Sequence, residues 1–498
     1  MGVRIIKGFI DSNFIINELN LIFFATGLLI TAFTLLSAYT QIEEKRREYY
    51  FLNTIYIMSF LVVIFSKNWL LFFVAWEMVT LSTTLMLLWR GRGLAGQYFI
   101  IQFFGSGILL VVIVVAISNG YAEIGAINEL WLQNLFILGF GIKSALFGFH
   151  FWLPPIHSQA PAPVSAILSG WVVKLGFIIF LRLIPGGNSL LLILGFLMIF
   201  YGGIKTLQAS DYKVLLAYSS ISQLGYIAIG IGSGNIYGYI GSIFQIIVHG
   251  IAKTGLFIGS GYLIREYGSR SIYDFKQIWS RQKLTALSLL ICFSLLMGTP
   301  FLLGYNSKYL IKYGLKSRLD LKYINTIDLG PLITIIFLAA TLLSVLYSVR
   351  FLYWALFRDC MVKKQERAIY KTKKVYFLKK TDRLNLIAVI FLILMLGLYP
   401  GLITSSIKEG HFDYGSIAGF IEFVAILFLS LVILKGLAGY KTEKSQIPSF
   451  NFLFNKINKS LYRVSRNLYN FIYQDFQYQL LCIPLFLLLL LFWLSLIK

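Results

Sequence analysis

Residues 138–155 read LGFGIKSALFGFHFWLPP. The run is apolar enough to enter a membrane, yet Gly139 and Gly141 loosen it just ahead of Lys143, and Pro154 and Pro155 end it. A helix written this way is broken partway along. Residues 294–314, SLLMGTPFLLGYNSKYLIKYG, repeat the arrangement, with Gly298, Pro300 and Gly304 ahead of Lys308. Interrupted apolar segments at matching positions of two halves are the best sequence pointer to a transport site. The backbone groups freed at each break have to be satisfied by protein or by water.

Around these two stretches the chain is a series of apolar runs, each near the roughly 20 residues that a helix needs to cross hydrocarbon. They lie at 19–40, 50–66, 68–89, 97–118, 131–152, 163–184, 190–208, 214–232, 236–263, 284–304, 331–357, 385–404, 415–438 and 478–497. This predicts an all-α polytopic membrane protein of about 14 transmembrane helices. The interrupted runs are each the fourth of five in consecutive blocks, 50–184 and 190–357. The expected architecture is therefore two inverted five-helix repeats, each with a broken helix. Residues 1–49 hold a first span, read as a span and not as a secretory leader. Residues 358–404 form a basic loop and a span. Residues 405–498 form an extension with two spans and, at 440–477, a polar segment. That segment carries Lys441, Glu443, Lys444, Lys456, Lys459, Arg463 and Arg466, too many charges for hydrocarbon, and is expected on the membrane surface or against partner chains.

Composition agrees with this reading. Of 498 residues, 58% are hydrophobic and 13% charged, against about 25% charged in soluble domains; mean hydropathy is +0.77. An ordinary cytosolic enzyme, a disordered chain and a nucleic-acid-binding protein are excluded. The net charge of +23 sits largely in loops such as Lys45–Arg47 and 358–384, where basic residues orient spans and meet anionic lipid. Cys292, Cys360 and Cys482 are scattered without metal-site spacing. An Ile-, Phe-, Tyr-, Lys- and Asn-rich composition points to an AT-rich, organellar genome.

The chemistry is carried by charges inside spans, each costing about 2.5–3.5 kcal/mol on insertion scales. Glu77 lies mid-run in FFVAWEMVTLS, and Lys143, Lys174, Lys253 and Lys308 lie in or at the edges of other runs. His249 precedes Lys253 by four residues, which puts both on one helix face. In apolar surroundings a lysine gives up its proton more readily, and a neighbouring carboxylate opposes this. A Glu–Lys pair of variable spacing is thus a proton switch. Lys205, near a span end, is read as snorkelling to the interface, and Glu422 as a helix-packing contact.

Taken in order, LFFVAWEMVTL (71–81), the run FGIKSALFGFHFWLPPIHSQAPAPVSAILSGWVVKLGFIIFLRL (140–183), QASDYKVLLAYSSISQLGYIAIGIG (208–232), FQIIVHGIAKTGLFIGSGYLI (244–264) and GTPFLLGYNSK (298–308) resemble one family. It is the antiporter-like proton-pumping membrane subunits of respiratory complex I, related to multisubunit cation/proton antiporters and energy-converting membrane hydrogenases. The resemblance covers about residues 45–405 and leaves the subunit type, 2, 4 or 5, open. It implies that Glu77 and Lys143 form the switching pair, that Lys174 and His249 relay the proton, with Lys253 the partner of His249 in the polar pair before the second broken helix, and that Lys308 leads to the exit or the next subunit. Two helices precede the glutamate-bearing one where the family has four, and two spans follow the family's usual last helix.

The function so implied is proton translocation within NADH:ubiquinone oxidoreductase. Quinone reduction would occur in other chains, with no cofactor in this one and other membrane subunits and lipids as partners. The alternative is a subunit of a cation/proton antiporter or a membrane hydrogenase. The implied location is the mitochondrial inner membrane, with a prokaryotic plasma membrane as the alternative.

Overall fold

In a computed structural model of the chain, the described residues are 11–275, 278–318, 323–324, 327–328, 330–357, 378–399 and 417–438. Those up to Leu434 belong to one compact unit. Five of the spans begin where the sequence places Asn or Asp ahead of an apolar run. Asn17, Asn68, Asn188, Asp211 and Asn235 each accept hydrogen bonds from the first-turn backbone amides of the helix they precede. Such a cap is worth about 1 kcal/mol.

The main helices are α1 (Glu18–Gln41), α2 (Arg46–Phe65), α3 (Trp69–Leu87), α4 (Arg92–Ser118), α5 (Leu130–Gly141), α6 (Leu153–Gln159), α7 (Ala162–Gly170) and α8 (Leu175–Leu183). There follow α9 (Ser189–Gln208), α10 (Tyr212–Gly232), α11 (Ile236–Tyr267), α12 (Lys283–Met297), α13 (Leu303–Ser317), α14 (Gly330–Leu352), α15 (Lys380–Leu398) and α16 (Ile417–Ala438). Besides three isolated bridges, a two-residue antiparallel pair, Tyr323–Ile324 with Ile327–Asp328, is the strand pairing among the described residues.

Ten of the described helices are long and apolar enough to cross a membrane, α7 and α8 counting together as one. The expected fourteen is not reached, for a physical reason. Three of the expected runs hold shorter apolar helices, Leu130–Gly141, Lys283–Met297 and Gly419–Leu434. Two of these three are the first halves of broken helices. The fourteenth run, 478–497, lies outside the described residues, as do the 440–477 segment and most of the basic stretch, 358–377.

Both breaks fall where glycine and proline put them. α5 stops at Gly141, and the chain crosses to α6 through Ala145 and Gly148, both at positive φ (51° and 89°). The freed carbonyl of Ile142 accepts from the Trp152 indole N–H at 2.8 Å, and Pro154–Pro155 open the next helix without needing donors. The second break turns at Gly298 (φ 81°). Gly304 then comes so close to the Leu295 carbonyl that a β-carbon would lie 1.9 Å from it. A third interruption was not expected within run 163–184: α7 gives way at Trp171 to a single 3₁₀ turn, Val172–Lys174, before α8 resumes.

The centre of the bundle is made by α7–α8 and α11, buried along their whole apolar stretch, and by α10, buried along 89% of it. These helices carry Lys174, His249 and Lys253, so protein faces those three side chains. Outer helices present apolar side chains outward, among them Phe51, Met58, Leu70, Ile335 and Phe391, as a lipid-facing surface requires. Small residues set the crossing of α7 and α11: a β-carbon at Gly170 would meet Thr254 Oγ1 at 2.4 Å, and one at Gly250 the Gly170 carbonyl at 3.1 Å.

Candidate functional site

Lys143 follows the first break directly and is buried. Its Nζ donates to the Trp76 carbonyl (2.9 Å) and to Thr80 Oγ1 (2.7 Å) on α3, and lies 3.9 Å from the centroid of the Trp76 ring. Glu77 stands between these two partners in sequence, within electrostatic reach of Lys143, yet the two make no ion pair. Glu77 Oε1 is buried without a hydrogen-bond partner. The sequence-predicted pair is thus neighbouring but not closed: the lysine is held by the backbone and hydroxyl on either side of its acid.

Lys174 sits at the third interruption, fully buried, and its Nζ donates to the Ser169 carbonyl. Ser169 Oγ shares a 2.8 Å hydrogen bond with Ser220 Oγ on α10. Lys253 Nζ donates to the Leu216 carbonyl (2.9 Å) and Ser219 Oγ (2.6 Å). The AYSS run of α10 therefore supplies one serine to each lysine site. His249, one turn before Lys253, is fully buried and neither ring nitrogen has a protein partner. Lys174, His249 and Lys253 act on one another electrostatically, and the Gly170–Gly250 crossing is what brings their helices together.

Lys308 lies in the second half of its broken helix. Its Nζ reaches back to the Met297 carbonyl (3.1 Å), the end of the first half, and to Ser344 Oγ (2.7 Å) on α14; it lies 4.7 Å from the Tyr226 ring centroid. The lysine thus satisfies a carbonyl that the break would orphan. Lys205, in the last turn of α9, is half-buried, consistent with the snorkelling expectation. Glu422 pairs with Lys312 of α13, which matches a helix-packing contact.

Several polar residues escaped the sequence reading. His157, read only as flanking a proline-rich loop, is fully buried in α6, stacks on Phe257 at 5.0 Å, and lies within electrostatic reach of Lys174, Lys213 and Lys253. Lys213, from the D-x-K start of α10, is buried and donates to the Ala160 carbonyl at 2.6 Å, tying α10 to the end of α6. Gln223 and Gln245 bond to each other at 2.7 Å in the core. Uncharged amides inside a span stand out less than charges, and a lysine at the start of a helix stands out less than one in mid-run.

With this geometry in hand, comparison with known families gives a match over residues 66–326 to the NADH:quinone oxidoreductase/Mrp antiporter transmembrane family. The chain belongs to that family. The match takes in Glu77, Lys143, Lys174, His249, Lys253 and Lys308. A putative antiporter subunit, mnhA2, of Staphylococcus aureus (strain MSSA476) is 31% identical over 63% of this chain and 45% of that protein. The chain spans about half the length of the curated relatives it matches. Among solved structures, the fold resembles a chain of respiratory complex I from Thermus thermophilus (TM-score 0.68, 22% identity, 83% of this chain and 86% of that one). It also resembles a chain of the Mrp complex from Dietzia sp. DQ12-45-1b (0.71, 21%, 97% and 55%). A chain of an archaeal membrane-bound sulfane sulfur reductase is similar to the same degree (0.71, 20%, 94% and 88%). The chain is accordingly an integral membrane, antiporter-like member of this family.

Proposed function

We propose that this chain is a proton-translocating, antiporter-like subunit of a multisubunit complex in a prokaryotic plasma membrane, with Glu77, Lys143, Lys174, His249, Lys253 and Lys308 on the proton path. One observation carries the reading: Lys143, Lys174, Lys253 and Lys308 are all buried, and every hydrogen-bond partner of the four is a carbonyl or a hydroxyl. A carboxylate held against each lysine would pin it in the charged form. Carbonyl and hydroxyl oxygens hold an ammonium or an amine, so each lysine can take up and release a proton in place. His249 and His157 stand among them with open ring nitrogens, able to pass a proton through water.

The bacterial relative at 31% identity is a putative antiporter subunit, which supports a cation/proton antiporter assembly and a bacterial rather than mitochondrial membrane. A second reading keeps the complex I role, in which quinone reduction in partner chains drives the same path. The run GSIFQIIVHGIAKTGLFIGSGYLIREYGSRSI (241–272), which resembles the complex I subunit 4 type, favours it. Whether the assembly is an oxidoreductase follows from its partners. Purifying the native complex and identifying its other chains separates the readings. Proton uptake into inverted vesicles, driven by a sodium gradient or by NADH, tests the function. A Lys143→Met complex that assembles and moves protons at the wild-type rate would overturn it.

A further inference from the structure

Four fully buried side chains are bonded end to end beside Lys308. Ser307 Oγ donates to Gln245 Oε1 (2.7 Å), Gln245 Nε2 to Gln223 Oε1 (2.7 Å), and Gln223 Nε2 to the Tyr347 hydroxyl (2.6 Å). The far end of this row adjoins the lysine site. Gln223 Nε2 also faces the Leu296 carbonyl at 3.4 Å, and the next residue, Met297, holds Lys308. Tyr347 is one turn from Ser344, the other Lys308 partner. The other end is Ser307, the residue before Lys308 on α13, and its partner Gln245 is on the relay helix, one turn before His249 on α11.

The row can be read in either direction. As bonded, the amide donors point toward Tyr347 and the Lys308 site. With both amides turned over, Tyr347 would donate to Gln223, Gln223 to Gln245, and Gln245 to Ser307. The Ser307 hydroxyl would then donate to the Gly241 carbonyl, which it already approaches at 3.1 Å. Each direction has a backbone carbonyl waiting at its end, Leu296 for one and Gly241 for the other, and each uses four hydrogen bonds. A primary amide has its donors on one side and its acceptor on the other, so turning the pair reverses a dipole aimed at Lys308. A positive charge there favours the oxygen-facing arrangement over the N–H-facing one.

We propose that Gln223 and Gln245 are positioning residues that form a reversible dipole: amide donors face the Lys308 site while that lysine is neutral, and amide oxygens face it once it has taken the proton. The amides carry no proton themselves; they act through Lys308. The inference rests on the reading of the chain as a proton path.

Two nearly isosteric variants stop the reversal. In Gln223→Glu a carboxylate, which only accepts, compels both Tyr347 and Gln245 to donate to it. In Tyr347→Phe the donor needed for the turned arrangement is gone, while Gln223 keeps the Leu296 carbonyl. In assembled complexes in inverted vesicles, each variant should slow proton transport about tenfold, the effect of a one-unit change in a proton affinity. Infrared difference spectra after a pH jump, with ¹³C-labelled glutamine amides, should show a side-chain amide band shift in the wild-type complex. That shift should vanish in both variants and in Lys308→Met. Wild-type transport in Gln223→Glu and Tyr347→Phe, alongside an inactive Lys308→Met, would overturn the dipole inference alone. An amide shift that persists in Lys308→Met would overturn it too. Wild-type transport in Lys308→Met would instead place Lys308 off the path and remove the ground on which the inference stands.

Discussion

The two broken helices end in lysines, but they hold them differently. In the first half, Lys143 leaves its own helix and bonds to α3, on either side of an acid within electrostatic reach. In the second half, Lys308 bonds across its own break, to the last carbonyl of α12, and to Ser344; no described carboxylate bonds to it. The first arrangement joins two helices through a charge whose acid partner stands nearby and is not bonded to it. A change in the spacing of α3 and the break alters the lysine's field. The second arrangement staples the break itself, and the groups around the lysine are dipoles. The comparison suggests a division of labour, with the first half switching by charge and the second responding to a proton that arrives.

If that division holds, the largest loss follows from Lys143→Met. A positioned proton carrier typically contributes about 10²–10⁴-fold, and its removal also leaves Glu77 without its neighbouring counter-charge. Proton transport in inverted vesicles should fall about 100-fold or more, with assembly checked by native gel. Glu77→Gln should come next, at about tenfold or more, because the lysine keeps its carbonyl and hydroxyl but loses the field that distinguishes its two states. Wild-type transport in Glu77→Gln would erase the distinction between a charge switch and a dipole response.

Much of this comparison was legible in the residues alone. The breaks were, since Gly141, Gly298 and Gly304 stand where the backbone turns or two chains nearly touch, and hydropathy sets the spans. The charged site residues were legible because a charge inside an apolar run is costly and therefore conspicuous. What could not be read were the partners. Nothing in the chain says that Thr80, Ser219 and Ser344, three among many hydroxyl residues in spans, receive lysines. The interruption at Trp171–Lys174 was hidden because LSGWVVKLG is evenly apolar apart from the lysine, and one 3₁₀ turn leaves no trace in hydropathy. The distance between Glu77 and Lys143 was likewise beyond reach: sequence supplies both groups, but only packing decides that the lysine bonds beside its acid and not to it.

A smaller effect tests how each break is kept. Trp152→Phe takes away one of two donors on the Ile142 carbonyl in the first break, leaving the Ala145 amide, at about 0.5–1.5 kcal/mol, and shrinks a fully buried ring packed on Tyr98. Ser344→Ala removes one of two acceptors from Lys308 and leaves the Met297 carbonyl in place. Trp152→Phe should therefore lower the thermal midpoint of the detergent-purified complex more than Ser344→Ala does. Ser344→Ala should act mainly on transport, by a few-fold. The reverse order would mean that the second break, not the first, depends on a side-chain staple from outside its own helix.

The smallest effect concerns the one acid bonded near the second break. Glu422 of α16 pairs with Lys312, one turn beyond Lys308 on α13. Both side chains are partly exposed, at 33% and 23%, and such pairs contribute about 0–1 kcal/mol. Lys312 points to α16, whereas Lys308 reaches back to Met297 and across to Ser344, so the pair fastens α16 to α13 without touching the lysine on the path. Glu422→Gln should leave transport within about twofold of wild type and loosen only the attachment of α16, seen as faster proteolysis after that helix. A loss as deep as that of Glu77→Gln would give the second half an acid–lysine switch of its own. The two broken helices would then differ in where their acid comes from, α3 for one and α16 for the other, and not in how they work.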